Sequence, residues 1–155
     1  ALDRYHVVAH LHDSYWADVG TVASFYDANI MLTQPDAPFS FYDPKRPIFT
    51  HARFLPPSRV DDARLARTLV AEGCDIGRAV VEDSVVGIRS AIGAGARIRR
   101  SVLLGADFYD SAPRGGGPAV PLGIGPDVEL DRVILDKNAR IGAGARLGNA
   151  AGVTH

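Results

Sequence analysis

The side chains that could do chemistry in this chain are few and unevenly placed. Its five histidines are His6, His10, His12, His51 and His155, so the long stretch from Ala52 to Thr154 contains no imidazole. His10 and His12 alternate in a stretch that reads as a strand, which puts both rings on one face. Two such nitrogens could in principle meet a metal, but without a third ligand they read as ordinary polar residues. Cys74 is the single cysteine. It has no partner for an internal disulfide, and its setting suits a buried structural thiol better than a reactive one. Asp18, in Tyr15-Trp-Ala-Asp-Val-Gly-Thr21, is a carboxylate at a turn ahead of a helix, where it can accept hydrogen bonds. Of the 17 basic residues 15 are arginine, so Lys137 stands out.

The elements that must position these groups announce themselves by spacing. Aliphatic side chains recur every six residues at Val80, Val86, Ile92, Ile98 and Leu104, with Gly87, Gly93 and Gly105 directly after three of them. The beat resumes at Leu135, Ile141 and Leu147, with Gly142 and Gly148 in phase. A period of six fits neither an α-helix nor an alternating hairpin. It fits a left-handed hexapeptide β-helix, in which one aliphatic residue per face points inward and stacks on its counterpart in the next coil. Ala and Gly in Ile92-Gly-Ala-Gly-Ala-Arg97 and Ile141-Gly-Ala-Gly-Ala-Arg146 let the backbone turn tightly at the corners. The phase slips between Ile76 and Val80 and between Leu130 and Leu135, so the coils are expected to be imperfect. The competing assignment is a set of loops in a Gly-rich α/β domain.

Three regions follow. Residues 1–34 open with an alternating stretch from Tyr5 to Leu11 that predicts a strand, then a helical pattern with Val22, Phe25, Tyr26, Ile30 and Leu32 for which Thr21 is the expected N-cap. Residues 35–59 hold Pro35, Pro38, Pro44, Pro47, Pro56 and Pro57 among several aromatics, which predicts an extended linker packed along a surface. Residues 60–155 form the β-helix, with a loop insertion at 106–122 marked by Gly115-Gly-Gly117. The absent initial Met, and aromatics in 1–34 that need a larger body to cover them, predict a piece of a longer chain. The fold class expected is therefore mainly β, a left-handed parallel β-helix preceded by a strand-helix remnant of an α/β domain.

Composition narrows the class further. At 155 residues, 46% hydrophobic, 23% charged and a formal charge of −1, nothing in the bulk charge favours nucleic acid or a membrane surface. No apolar run is long enough to span a bilayer, no leader is evident, and a reducing, cytoplasmic setting is expected.

Several motifs resemble one family. Tyr15-Trp-Ala-Asp-Val-Gly-Thr21, Phe41-Tyr-Asp43, Arg53-Phe-Leu-Pro-Pro-Ser58, Ser84-Val-Val-Gly-Ile-Arg-Ser90, Gly105-Ala-Asp-Phe-Tyr109, Gly123-Ile-Gly125 and Asp136-Lys-Asn-Ala-Arg-Ile-Gly142 follow one another as in glucose-1-phosphate adenylyltransferase, also called ADP-glucose pyrophosphorylase. The resemblance covers nearly the whole chain and identifies it as similar to the C-terminal segment of that enzyme. It implies a part in making ADP-glucose and pyrophosphate from ATP and glucose 1-phosphate for glycogen or starch synthesis, with Mg²⁺ neutralising the phosphates. By the resemblance, Asp18 is a metal ligand of the complete enzyme. The Gly-rich nucleotide loop, the second metal carboxylate and the sugar-phosphate lysine of the family have no counterpart here, so this segment alone is expected to be inactive.

What the resemblance leaves to this segment is regulation and assembly. It places Arg53 and Lys137 at a site for a phosphorylated effector, and the pair suits that role, a planar fork beside a mobile point charge. The expected partners are the missing N-terminal catalytic portion, ATP and glucose 1-phosphate in the complete enzyme, the effector, and further copies in a homo-oligomer. Ala9-His-Leu-His12 departs from the aromatic-proline segment usual in the family, and His51 stands where plant-like members often carry Gln, which leaves the effector's identity open. Two other classes compete. A hexapeptide acyltransferase or a γ-type carbonic anhydrase needs imidazole within the coils, which the span from Ala52 to Thr154 lacks. A non-catalytic β-helix oligomerisation module needs only exposed coil ends.

Overall fold

A computed structural model describes residues 4, 6–110 and 120–149. It contains one helix, α1 (Val22–Met31), and twelve short strands: β1 (Arg59–Val60), β2 (Arg64–Val70), β3 (Asp75–Ile76), β4 (Val80–Val86), β5 (Ala91–Ile92), β6 (Arg97–Arg99), β7 (Val102–Leu103), β8 (Gly123–Ile124), β9 (Glu129–Asp131), β10 (Ile134–Leu135), β11 (Arg140–Ile141) and β12 (Arg146–Gly148).

Every registered strand pair is parallel, and each strand pairs with one in the next coil, so the chain winds as a solenoid. Parallel neighbours require a full circuit of chain between them, which is what a coil supplies. One sheet stacks β1, β3, β5, β8 and β11, five levels deep. Three interior columns result. Val60, Ile76, Ile92, Ile124 and Ile141 stack on the first face. Leu65, Val81, Ile98, Leu130 and Leu147 stack on the second. Val70, Val86, Leu103 and Leu135 stack on the third. Ile76, Val81, Val86 and Ile98 are fully buried and form the centre of the core.

The six-residue beat holds for Val86, Ile92 and Ile98 and fails by one position at two others. The interior residues are Val81 and Leu103, whereas Val80 and Leu104 are only half-buried. The reason lies in the corner between the second and third faces. There the chain turns through a left-handed residue, Arg67, Asp83, Arg100 or Arg132, at φ 46, 49, 44 and 56°. That corner takes five residues from Val81 to Val86 and from Ile98 to Leu103. A side chain at positive φ is uncommon outside glycine, so the corner must be held by other bonds. Two buried hydroxyls do this. Ser84 Oγ donates to the Glu82 carbonyl at 2.7 Å and accepts from the Ser101 N–H at 3.1 Å. Ser101 Oγ repeats the pattern one coil on, donating to the Arg99 carbonyl at 2.7 Å.

The corner between the third and first faces is held likewise. Ser58 Oγ donates to the Ala71 carbonyl at 2.6 Å and accepts from the Cys74 N–H at 3.1 Å, and Ser90 Oγ donates to the Gly87 carbonyl at 2.8 Å. Cys74 stands between these serines as the thiol member of the same ladder, its Sγ 3.2 Å from the Gly87 carbonyl. Burial pushes the thiol's pKa up, as a structural cysteine requires. Gly105 lies at φ +83°, and a Cβ there would drive into the backbone of Gly87 and Ile88, so the tight approach of coils demands glycine at that point.

Helix α1 begins where Thr21 caps it. The Thr21 side chain accepts from the Ser24 N–H at 3.1 Å while Ser24 Oγ accepts from the Thr21 N–H at 3.0 Å, a reciprocal capping box. The helix packs against β4 and β7. It covers the outward side of the third face, where Val102 is fully buried although it lies outside the interior cluster.

Two local expectations do not hold. Residues 6–20 form no strand and are exposed throughout, because a strand needs a neighbour to accept its backbone hydrogen bonds and none of the described residues pairs with this stretch. The linker does not lie packed along its length either. Phe39 packs edge-on against Phe41 with ring centres 5.3 Å apart, but Phe49 and Phe54 are 92% and 95% exposed. Of the expected insertion 106–122, residues 111–119 lie outside the described residues, as does His155.

Candidate functional site

Lys137 and Asn138 occupy the turn between β10 and β11. The Asp136 carboxylate accepts the Lys137 N–H at 2.7 Å, and the Asn138 N–H bonds to the Gly105 carbonyl at 3.0 Å. Asn138 has φ 62°, a conformation asparagine tolerates well. The turn thus projects two neighbouring side chains toward Asp107, at the start of the insertion. Lys137 Nζ donates to Asp107 Oδ1 at 2.8 Å, and Asn138 Nδ2 donates to Oδ2 at 2.9 Å. The Asp107 N–H returns a bond to Asn138 Oδ1 at 2.9 Å, which uses both ends of the amide and fixes its orientation.

These contacts hold the Asp107 carboxyl below its ordinary range. The Lys137 hydrogen bond is the largest cause, then that of Asn138, with the charges of Lys137 and Arg53 adding to them. Arg53 is exposed, directly before Phe54, which takes a left-handed φ of 49°. Arg53 and Lys137, remote in sequence, therefore act on one carboxylate.

Beside this cluster the base of the insertion is tied down again. Arg140 grips Asp110 with Nη2 to Oδ1 at 2.7 Å and Nη1 to Oδ2 at 2.9 Å, and reaches the Val120 carbonyl at 2.9 Å. Asp110 Oδ2 also accepts the Leu122 N–H at 2.7 Å. The bidentate bond from Arg140 is the main reason the Asp110 carboxyl is held low. Tyr109 donates its hydroxyl to the Gly73 carbonyl at 3.0 Å and lies under Arg89, whose guanidinium carbon is 5.8 Å from the ring centre. Asp107, Asp110, Asn138 and Arg140 were not singled out by sequence reasoning. The available signal was the matched spacing of the two acids in Asp107-Phe-Tyr-Asp110 and their partners in Lys137-Asn-Ala-Arg140.

Asp18 belongs to another segment of the chain, ahead of α1. It is exposed in the irregular stretch before α1, with its carboxylate folded beside Gly20. No hydrogen bond or ion pair joins it to Arg53 or Lys137 among the described residues. A free carboxylate is the kind of hard oxygen donor Mg²⁺ takes, and that ion is often held by one or two such groups. Asp18 thus fits as one ligand, not as a site. Among the described residues no group of three or more His, Cys, Asp or Glu side chains stands together to hold a metal ion. His12 Nε2 is 3.4 Å from the Tyr15 carbonyl, a local contact.

A groove of about 460 Å³ runs along the first face, lined by Gly77, Gly93, Pro121, Pro126 and Gly142 among others. Its only charged lining residues among the described residues, Arg59 and Asp75, close on each other at 2.8 Å, so these present no free group for chemistry. Among the described residues no helix is long and apolar enough to cross a membrane.

Residues 53–155 match the family model described as the GLGC left-handed parallel beta-helix domain. The match gives the solenoid its hand, spans all twelve strands and includes both Arg53 and Lys137.

Proposed function

The chain belongs to the GLGC left-handed parallel β-helix family, and from that premise we propose that it is the regulatory and assembly part of a glucose-1-phosphate adenylyltransferase. The complete enzyme joins a phosphate oxygen of glucose 1-phosphate to the α-phosphorus of ATP, with departure of pyrophosphate and formation of ADP-glucose, the donor for glycogen or starch. Mg²⁺ in that enzyme neutralises phosphate charge, and Asp18 would give it one carboxylate. The remaining active-site groups belong to an N-terminal catalytic portion, so the 155 residues alone are inactive in this account. The setting is cytoplasmic, where ATP and sugar phosphates are at hand.

The observation that carries the regulatory reading is the Lys137 ammonium held at 2.8 Å on Asp107, a carboxylate on which the Arg53 charge also acts. The Lys137 ammonium and the Asn138 amide N–H meet on one exposed carboxylate that also feels the Arg53 charge, a set of donors that suits a phosphorylated effector. The test is effector activation of the complete enzyme. Lys137→Ala and Arg53→Ala should each raise the effector concentration needed for half-activation about tenfold or more while basal turnover stays near the parent value. Unchanged effector dependence in both variants would remove the site.

Assembly rests on the coil ends. Among the described residues strands β10, β11 and β12 end their sheets, and Leu147, the last member of the second column, is 39% exposed. Strand edges left unpaired among the described residues, beside an exposed column end, favour a homo-oligomer. The same observation supports the alternative of a purely structural β-helix module. A complete enzyme that is regulated normally without this segment would favour that alternative.

A further inference from the structure

Asp107 stands in a relation to the effector cations that goes beyond their binding a ligand. Its carboxylate makes on Lys137 and Asn138 the kind of contacts that a ligand's anionic oxygens would need to make. One oxygen takes the Lys137 ammonium at 2.8 Å and the other takes the Asn138 amide at 2.9 Å. The Asp107 N–H is bound to Asn138 Oδ1, so the carboxylate is held in place by its own backbone. We propose that Asp107 is an internal counterion that occupies the effector site, and that a phosphorylated ligand binds by displacing its carboxylate from Lys137 and Asn138. This rests on the reading that Arg53 and Lys137 form an effector site.

The exchange has a chemical consequence. A monoanionic carboxylate offers Lys137 nothing that Asp107 does not already give it without the entropy of association. A phosphate near neutral pH carries more charge and three acceptor oxygens, so it can engage Lys137 and Asn138 together and keep an oxygen for a further donor. Asp107 thereby makes the site select against simple carboxylates and lowers its affinity for every anion. The displaced side chain does not unravel the insertion base. Asp110 remains bound by Arg140 and the Leu122 N–H, and Tyr109 by the Gly73 carbonyl. The switch is therefore a local exchange of one anion for another.

The test is titration of the full 155-residue chain with inorganic phosphate, following the backbone amides of Lys137 and Asn138 by NMR. Asp107→Asn keeps the shape and the backbone bond to Asn138 but removes the competing charge. It should bind phosphate about fivefold more tightly than the parent, the scale of one exposed ion pair. That gain should vanish when Lys137→Ala is added. Asp107→Ser should show the same direction, and it replaces Asp107→Asn if the amide resonances of that variant depart from the parent's across the coils. Equal or weaker phosphate binding by the Asp107 variants, with Lys137→Ala still lowering affinity, would overturn the displacement and leave the effector site standing. Phosphate binding that neither Lys137→Ala nor Arg53→Ala alters would overturn both.

Discussion

Tyr26, on the helix, donates its phenol to the Arg100 carbonyl at 2.6 Å, and Arg100 is the left-handed corner residue whose guanidinium grips Asp131 at 2.6 to 3.0 Å. One coil earlier, Gln34 Nε2 donates to Asp83 Oδ1 at 3.2 Å, and Asp83 is in turn held by Arg67. The segment ahead of the solenoid is thus fastened to the same corner that turns its coils. Tyr26→Phe removes one hydrogen bond and should lower stability by about 1 kcal/mol, read from urea unfolding of the chain. The phenol's pKa is raised, mainly by burial, so the folded state holds its proton more tightly than the unfolded one. Its contribution is complete below the unfolded value of about 10 and fades as pH rises through the higher folded value. The alkaline loss of stability above pH 10 should shrink in Tyr26→Phe.

Ser84 has no exposed surface, and its hydroxyl satisfies both the Glu82 carbonyl and the Ser101 N–H. Ser84→Ala would bury that N–H without a partner. A loss of about 1 to 3 kcal/mol is expected, larger than for an exposed serine such as Ser40. Thermal unfolding of the two variants checks the order, with Ser84→Ala lower by several degrees and Ser40→Ala within a degree or so of the parent.

Acid should loosen the insertion base before it loosens the aliphatic core. Asp83, Asp107 and Asp110 all have depressed carboxyl pKa values, each chiefly through its hydrogen bond to a basic side chain. A depressed folded value means that the stabilisation is present above the unfolded value of about 3.9 and is lost as pH falls through the lower folded values. Urea midpoints should therefore fall as the pH drops below about 4. Asp110→Asn should flatten part of that fall.

Cys74 is 3% exposed and its thiol is raised in pKa by burial. Alkylation should track unfolding of the coil and be negligible in the folded chain, because thiolate and access are both lacking. Cys74→Ser should be tolerated at a cost under about 1.5 kcal/mol, since Ser58 and Ser90 already fill the equivalent positions of its ladder.

How far the sequence carried these features depends on the range over which each is decided. Thr21 and the helix after it follow from local chemistry, so the cap and the apolar spacing of Phe25, Tyr26 and Ile30 were readable directly. The stacking of Ile92 and Ile98 was readable because the six-residue period is itself the signature of a coil. Val81 and Leu103 were placed one residue off because the five-residue corner depends on Asp83 and Arg100 adopting positive φ, and Arg gives no such signal. Lys137 and Arg53 came from resemblance, but Asp107 did not. Its role arises only when the solenoid lays Asp107 beside Lys137 and Asn138, a register set by stacking and not by neighbours in the chain. The strand expected from Tyr5 to Leu11 is absent over its described residues 6–11 for the converse reason, since alternation specifies a face but not a partner for the backbone.

The central claim is that these residues regulate and assemble an adenylyltransferase whose catalytic groups lie elsewhere. Its most direct test is formation of ADP-glucose from ATP and glucose 1-phosphate with Mg²⁺, by this chain alone and by the chain joined to an N-terminal catalytic portion. The account predicts no product from the chain alone, and effector-dependent product from the joined protein that Lys137→Ala renders insensitive to effector. Product from the 155 residues alone, or a joined protein whose response to effector survives Lys137→Ala and Arg53→Ala together, would contradict it.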